Sequence, residues 1–193
     1  MARRRVVSRS SLFTHCANSA ALLQHPGSIF RAVRPGLALY GIPPSPASEE
    51  ETLAPAMQIE TRVMSVKSVA PGAAIGYGGR FVARRPTTIA VLPIGYHDGV
   101  RRLISGRASV LLRGARAPIV GAVSMDLTLI DATETGARAG DRAVLLGREG
   151  TQRITAWDLA RAAETIPYEI VCGFGARVPR VYRESNPGRR SGS

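Results

Sequence analysis

Lysine is nearly missing from this chain. Of 26 basic residues only Lys67 is a lysine, and the others are arginine. Any reaction that needs a side-chain primary amine has one residue to draw on. Cysteine is scarce as well. Cys16 and Cys172 stand far apart without metal-ligand spacing, which fits a reduced, cytoplasmic chain. No apolar run approaches the ~20 residues of a membrane helix. The opening MARRRVVSRSSLF is basic but has neither the apolar stretch nor the small-residue cleavage site of a secretory signal. Aromatics make up 5% of the chain, so the core must rest on Val, Ile, Leu and Ala within the 45% that is hydrophobic. The few aromatics do not alternate with basic residues, as base stacking by a single-strand binder would require. The net charge of +12 invites a nucleic-acid reading. Most arginines are single, however, and the runs 3–5 and 189–190 lie at the ends. We expect neither a nucleic-acid partner nor a membrane.

What is present divides at about residue 55. Residues 1–13 read as a basic, disordered start. THCANSAALLQHP (14–26) reads as a short extended piece entering a short helix that Asn18 or Ser19 can cap and Pro26 ends. SIFRAVRPGLALYG (28–41) is mixed, with an apolar, strand-like end. PPSPASEEETLAP (43–55) has four prolines and an acidic run, the composition of a linker. Beyond it MQIETRVMSVKSVA (57–70) alternates apolar and polar residues as a half-buried strand does. TTIAVLPI, ASVLLRG, APIVGAV, LTLID and RAVLLG follow as short strands, with RVPRVY (177–182) as the last. Gly, Pro and Asp punctuate them at the spacing of a β-barrel or sandwich. One helix stands out, started by Thr155 with Asp158 three residues on. The expected fold is mainly β: a barrel- or sandwich-like domain over 56–185 with one short helix, then a disordered tail over 186–193.

Several clusters do not read as core. In AIGYGGRF (74–81) Tyr77 stands among Gly76, Gly78 and Gly79. Glycines there allow a bent backbone that holds a phenol out of the packing. LPIGYHDGVRR puts Tyr96 on a glycine turn ahead of an acid and two arginines. GAVSMDLTLID places Met125 and Asp126 after an apolar strand. RPGLALYG sets Arg34 beside a Pro–Gly bend, and NSAALL puts polar groups at a helix start, where backbone N–H groups favour an anion. Taken singly, each also reads as ordinary structure: a turn, a strand end, or a hairpin tyrosine at the surface.

The order of the clusters is more specific. HCANSAA, VRPGLALYG, IGYGG, LPIGYHDG, IVGAVSMD, GD, ITAWDLA, TIPYEIVC and RVPRVY run along residues 14 to about 183 in a series that resembles the C-terminal half of alanine racemase. The resemblance implies an isomerase dependent on pyridoxal phosphate (PLP) that interconverts L- and D-alanine, with D-alanine going to peptidoglycan. It also implies a TIM-like barrel ahead of the β domain, in a head-to-tail homodimer where each β domain closes its neighbour's barrel. Residues 14–42 then correspond to the barrel's last strand–helix–strand. Tyr77 is implied as the catalytic tyrosine, acting in trans at the substrate Cα. Arg34 is implied to meet the PLP pyridine nitrogen, with His15 supporting it. A guanidinium does not give up its proton, so the ring nitrogen stays unprotonated. Asn18, Ser19, the backbone of Gly36 and Leu37, and Tyr168 are implied at the cofactor, the last four at its phosphate. Met125 and Asp126 are implied to line the substrate end. Tyr96 is implied to narrow the entrance, and Arg102 to line the corridor outside.

Racemisation needs two opposed bases, and a phenol acts as one at neutral pH only with cations beside it. The family's second base is the lysine that carries PLP covalently, near the start of the barrel. Lys67 matches no such motif and reads as a solvent-facing strand residue. Residues 1–13 cannot supply the rest of a barrel. The expectation is therefore a truncated racemase, inactive alone. The alternatives are a non-catalytic β module, or one half of a split enzyme whose partner is a separate barrel. Leu37 and Leu39 are expected to face the absent barrel. Ala122 and Val100 depart from the family's usual arginine and aromatic, and both departures concern the entrance.

Overall fold

A computed structural model describes residues 12–46 and 53–183. The chain starts with a small parallel unit. Strand β1 (His15–Asn18) leads into helix α1 (Ser19–Gln24), and β2 (Ala32–Arg34) returns beside β1 with His15 opposite Ala32 and Asn18 opposite Arg34. Asn18 caps α1, its Oδ1 accepting from the Ala21 amide at 2.9 Å. The strand-like end expected at GLAL is instead helix α2 (Gly36–Leu39). Pro35 cannot donate to a strand ladder, and its fixed φ suits a helix start.

The β domain is one eight-stranded sheet. Its strands are β3 (Ile59–Arg62), β4 (Ser65–Val69), β7 (Thr87–Leu92), β8 (Ser109–Leu112), β9 (Ala115–Val120), β10 (Thr128–Asp131), β11 (Arg142–Glu149) and β12 (Gln152–Ile154). They run in the order β12-β11-β8-β9-β10-β7-β4, with β3 also paired to β11. The alternating stretch 57–70 is thus two strands in different places, β3 against β11 and β4 against β7. Between them Val63 turns inward and its amide bonds Asp141 O at 2.8 Å. A separate hairpin, β5 (Ala74–Ile75) with β6 (Phe81–Val82), stands apart from the sheet.

The core is aliphatic, as the shortage of aromatics requires. Val110, Leu111, Leu112, Ile130, Ala143 and Val144 are fully buried. Each buried Val, Leu or Ile contributes about 1.5–3 kcal/mol of hydrophobic stabilisation. Helix α3 (Ala156–Ala162) adds Leu159 and Ala160 to this core. It carries the full capping box, with Thr155 accepting from the Asp158 amide and the Asp158 carboxylate accepting from the Thr155 amide. A second helix, α4 (Pro167–Gly173), packs on α3 and adds Ile170 and Val171. It has no side-chain cap, only Pro167 in its first turn.

Two further expectations are corrected. Residues 177–182 form no strand. Pro179 has no N–H for a ladder, and Arg177 and Arg180 direct their guanidinium groups to other segments. Leu37 does not face outward: it is 2% exposed and belongs to the main core, with Ile42. Leu39 is exposed as expected. Trp157 Nε1 donates to Pro43 O at 3.1 Å and the Ala56 amide to Tyr40 O at 3.1 Å, so residues 40–43 lie against the β domain.

One surface pair links the sheet to pH. Arg142 Nε bonds the Glu60 carboxylate across β11 and β3, and this bond holds the Glu60 pKa below the ordinary glutamate value despite partial burial; Gln58 adds a weaker bond. A carboxylate depressed in the fold stabilises fully above its unfolded pKa and loses that contribution as pH falls through its folded value. Both side chains are about 40% exposed, so the effect is screened and on the order of 0.5 kcal/mol. Urea unfolding of Glu60→Gln should show this small deficit at neutral pH. The gap to the parent should close as the pH drops below the usual carboxylate range.

Candidate active site

Two groups of side chains form the candidate site. The first sits on the parallel unit. The β1–β2 pairing brings His15 and Arg34 together, with Arg34 Nη1 2.6 Å from His15 Nδ1. Both side chains are otherwise exposed, and among the described residues the guanidinium is oriented by one ring nitrogen alone. Ser19, 2% exposed, accepts the Ala38 amide on Oγ at 3.0 Å and ties the start of α1 to α2. Gly36 and Leu37 occupy the first turn of α2, where amides have no partner within the helix. A Cβ on Gly36 would meet nothing within 4 Å, so its backbone faces open space. Asn18 spends its Oδ1 on the α1 cap.

The second group lies at one end of the sheet. Tyr77 is 75% exposed at the tip of the β5–β6 hairpin. Gly76, Gly78 and Gly79 all have positive φ there, at 74°, 69° and 58°, a bend that L side chains resist. The hairpin is seated on the end of β9. A Cβ at Gly121 would lie 3.1 Å from Ile75 O, and one at Gly76 would lie 3.5 Å from the Ala122 amide.

Further along the same segment, the Tyr96 turn is stitched to the Met125 loop. Tyr96 N donates to Ser124 O at 2.9 Å and His97 N to Met125 O at 3.0 Å. Gly95 lies where a Cβ would be 2.4 Å from both Ser124 O and Met125 O. Tyr96 and Met125 remain 44% and 49% exposed. Asp126 accepts from Arg177 Nη2 at 2.9 Å. Arg102 begins a 3₁₀ turn, and its carbonyl accepts from Ser105 Oγ, which in turn accepts the Val123 amide at 2.9 Å. Its guanidinium is exposed and makes no ion pair among the described residues. Tyr168 is exposed on α4. The two departures, Ala122 and Val100, are both buried.

No hydrogen bond or ion pair among the described residues joins the first group to the second. Sequence reasoning missed Arg177 and the acid that it also holds, Asp98. The acid was visible in GYHDG, but Arg177 lay within a segment read as a strand. Lys67 is exposed on β4 opposite Ile89.

Residues 56–182 match the profile of the alanine racemase C-terminal domain, and residues 3–44 that of the alanine racemase N-terminal domain. The chain belongs to the alanine racemase family. It is 46% identical over 171 residues to an alanine racemase of Halothermothrix orenii, covering 88% of this chain and 45% of that one. The crystal structure of alanine racemase from a D-cycloserine-producing Streptomyces lavendulae superposes with a TM-score of 0.84 at 43% identity, covering 89% of this chain and 46% of that one. A Bartonella henselae alanine racemase with covalently bound pyridoxal phosphate superposes with a TM-score of 0.78 at 34% identity, covering 86% and 46%. The chain therefore spans less than half the length of these alanine racemases.

Proposed function

We propose that these residues supply the proton-transfer face of an alanine racemase, and that they work only together with a lysine-bearing barrel. The observation that carries this reading is the exposed Tyr77 phenol at the hairpin tip, in a chain whose relatives are alanine racemases. The division that goes with it is a barrel piece over 14–42, a linker over 43–55 and the β domain over 56–185. The working form is a homodimer or a pair with a separate barrel half, acting on an amino acid in the cytoplasm.

The donor set fits the non-covalent half of a PLP site. Arg34, oriented by His15, suits a ring nitrogen that accepts. Buried Ser19, the Gly36 and Leu37 amides and the Tyr168 hydroxyl suit a phosphate. The covalent half is not met, because the only lysine is Lys67, an exposed residue of β4. PLP, when bound, supplies the electron sink that makes an amino acid's Cα proton removable. The residues of this chain do the rest. Tyr77 takes or returns that proton on one face. The Met125 amide meets the substrate's carboxylate, Asp126 lines the same end, and Tyr96 narrows the approach. The opposed base on the other face is a lysine of the barrel, which is not among these residues.

Mixing the purified chain with PLP should give no visible absorbance of a lysine Schiff base at a defined site, and no racemisation of L-alanine. Adding a separately expressed, lysine-bearing N-terminal barrel of a family member should bring both. Racemisation by the chain alone would overturn the need for a partner. An inert mixture of two folded, associated halves would overturn the catalytic reading in favour of a non-catalytic β module.

A further inference from the structure

We propose that Arg177 is a positioning residue, a cationic latch that fixes the Met125–Asp126 loop to the Tyr96 turn. This deepens the reading above, since it concerns how the substrate end would be shaped for a carboxylate-bearing amino acid. Arg177 Nη2 lies 2.9 Å from Asp126 Oδ1, and its Nε lies 3.4 Å from Asp98 Oδ1. One guanidinium thus spans two carboxylates on different loops, a task suited to its planar, divergent donors and not to a lysine ammonium.

The two acids are not equivalent. Asp98 is 7% exposed, and its Oδ2 already accepts the Gly95 amide at 2.8 Å. It is the fixed anchor, built into the turn that presents Tyr96. The Asp126 side chain is 53% exposed and has no other charged partner among the described residues. The latch itself is held in place. Gly175 N donates to Asp98 O at 3.3 Å, and Arg180 Nη2 donates to Phe174 O at 2.9 Å, fixing the turn from which Arg177 extends.

The consequence is electrostatic as well as mechanical. With Arg177 in place, the Asp126 carboxylate is engaged and partly neutralised. Without it, two like charges share a small region beside the Met125 amide, and an approaching substrate carboxylate meets a more negative mouth. The loop also loses one tie to the Tyr96 turn, leaving the backbone bonds from Tyr96 and His97 and the Thr128 Oγ1 bond to Ile94 O to hold it.

Hydrogen exchange of the full chain, resolved to single amides, tests the latch without any need for activity. In Arg177→Gln the Tyr96 and His97 amides should exchange faster, on the order of ten-fold. Amides of the central sheet, such as Ile130 and Val144, should stay unchanged. Arg177→Lys should recover only part of the protection. Adding Asp126→Asn to Arg177→Gln should remove the charge conflict and recover part of it by another route. If Arg177→Gln leaves Tyr96 and His97 as protected as in the parent, the latch does not exist. If every core amide speeds up equally, Arg177 is a general stabiliser and the proposal also fails. In the two-part assembly, the same variant should raise KM for alanine much more than it lowers kcat. An assembly with no activity even in the parent would count against the function proposed above, while exchange would still decide the latch.

Discussion

Tyr77→Phe should remove racemisation from the two-part assembly, by about 10²–10⁴-fold, the usual worth of a positioned acid or base. The change deletes one oxygen from a side chain that is 75% exposed, so the fold has little to lose. Unfolding midpoints and association with the barrel half should match the parent within error. The control lies in the hairpin's glycines. Gly76→Ala keeps the phenol but places a side chain at φ 74°, which should cost activity by misdirecting the hydroxyl. If Tyr77→Phe retains most of its activity, Tyr77 is a surface residue of a hairpin and the proton-transfer assignment is wrong. Loss of activity together with loss of association would point instead to a role for the phenol in docking.

Gly95→Ala should be the most damaging of the small substitutions, costing on the order of 3 kcal/mol of stability. The added methyl would lie 2.4 Å from two backbone oxygens, Ser124 O and Met125 O. Flexible side-chain ends can swing away from such a contact, but carbonyls already accepting from Tyr96 and His97 cannot do so without breaking those bonds. The backbone of 94–98 or of 124–125 must therefore separate. Thr128 Oγ1 resists this, because it donates to Ile94 O at 2.7 Å from a fully buried site. Thermal or urea unfolding measures the cost. Near-parent stability would mean that the two loops part freely and do not act as one unit.

Much of the β domain was legible because its signals are local. Thr155 and Asp158 announce a helix three residues apart, and the strands at 87–92 and 142–149 are apolar runs closed by Gly or Pro. Helix α4 was not legible, since TIPYEIVC has no capping side chain and its apolar run suits a buried strand equally well. At 57–70 the alternation marks extended chain, but it holds only through β3, and period two says nothing of the change of partner between β3 and β4. GLAL looked extended because its neighbours are apolar, and the Pro–Gly start decided otherwise. In the candidate site, the motif order pointed to His15, Arg34 and the two tyrosine turns. Their geometry could not be read, because Arg34 meets His15 across 19 residues and Arg177 meets Asp126 across 51. No local pattern encodes such pairings. The glycine contacts at 95 and 121 were hidden for the same reason: each is small because of a segment remote in sequence.

Lys67 gains a practical meaning from its isolation. As the only side-chain amine, standing exposed on β4, it is the one internal site for amine labelling, alongside the α-amino group. An amine-reactive fluorophore placed there reports from the sheet that carries the substrate-end loops. Association with a barrel half, or with a second copy, then becomes readable by anisotropy without engineering a cysteine.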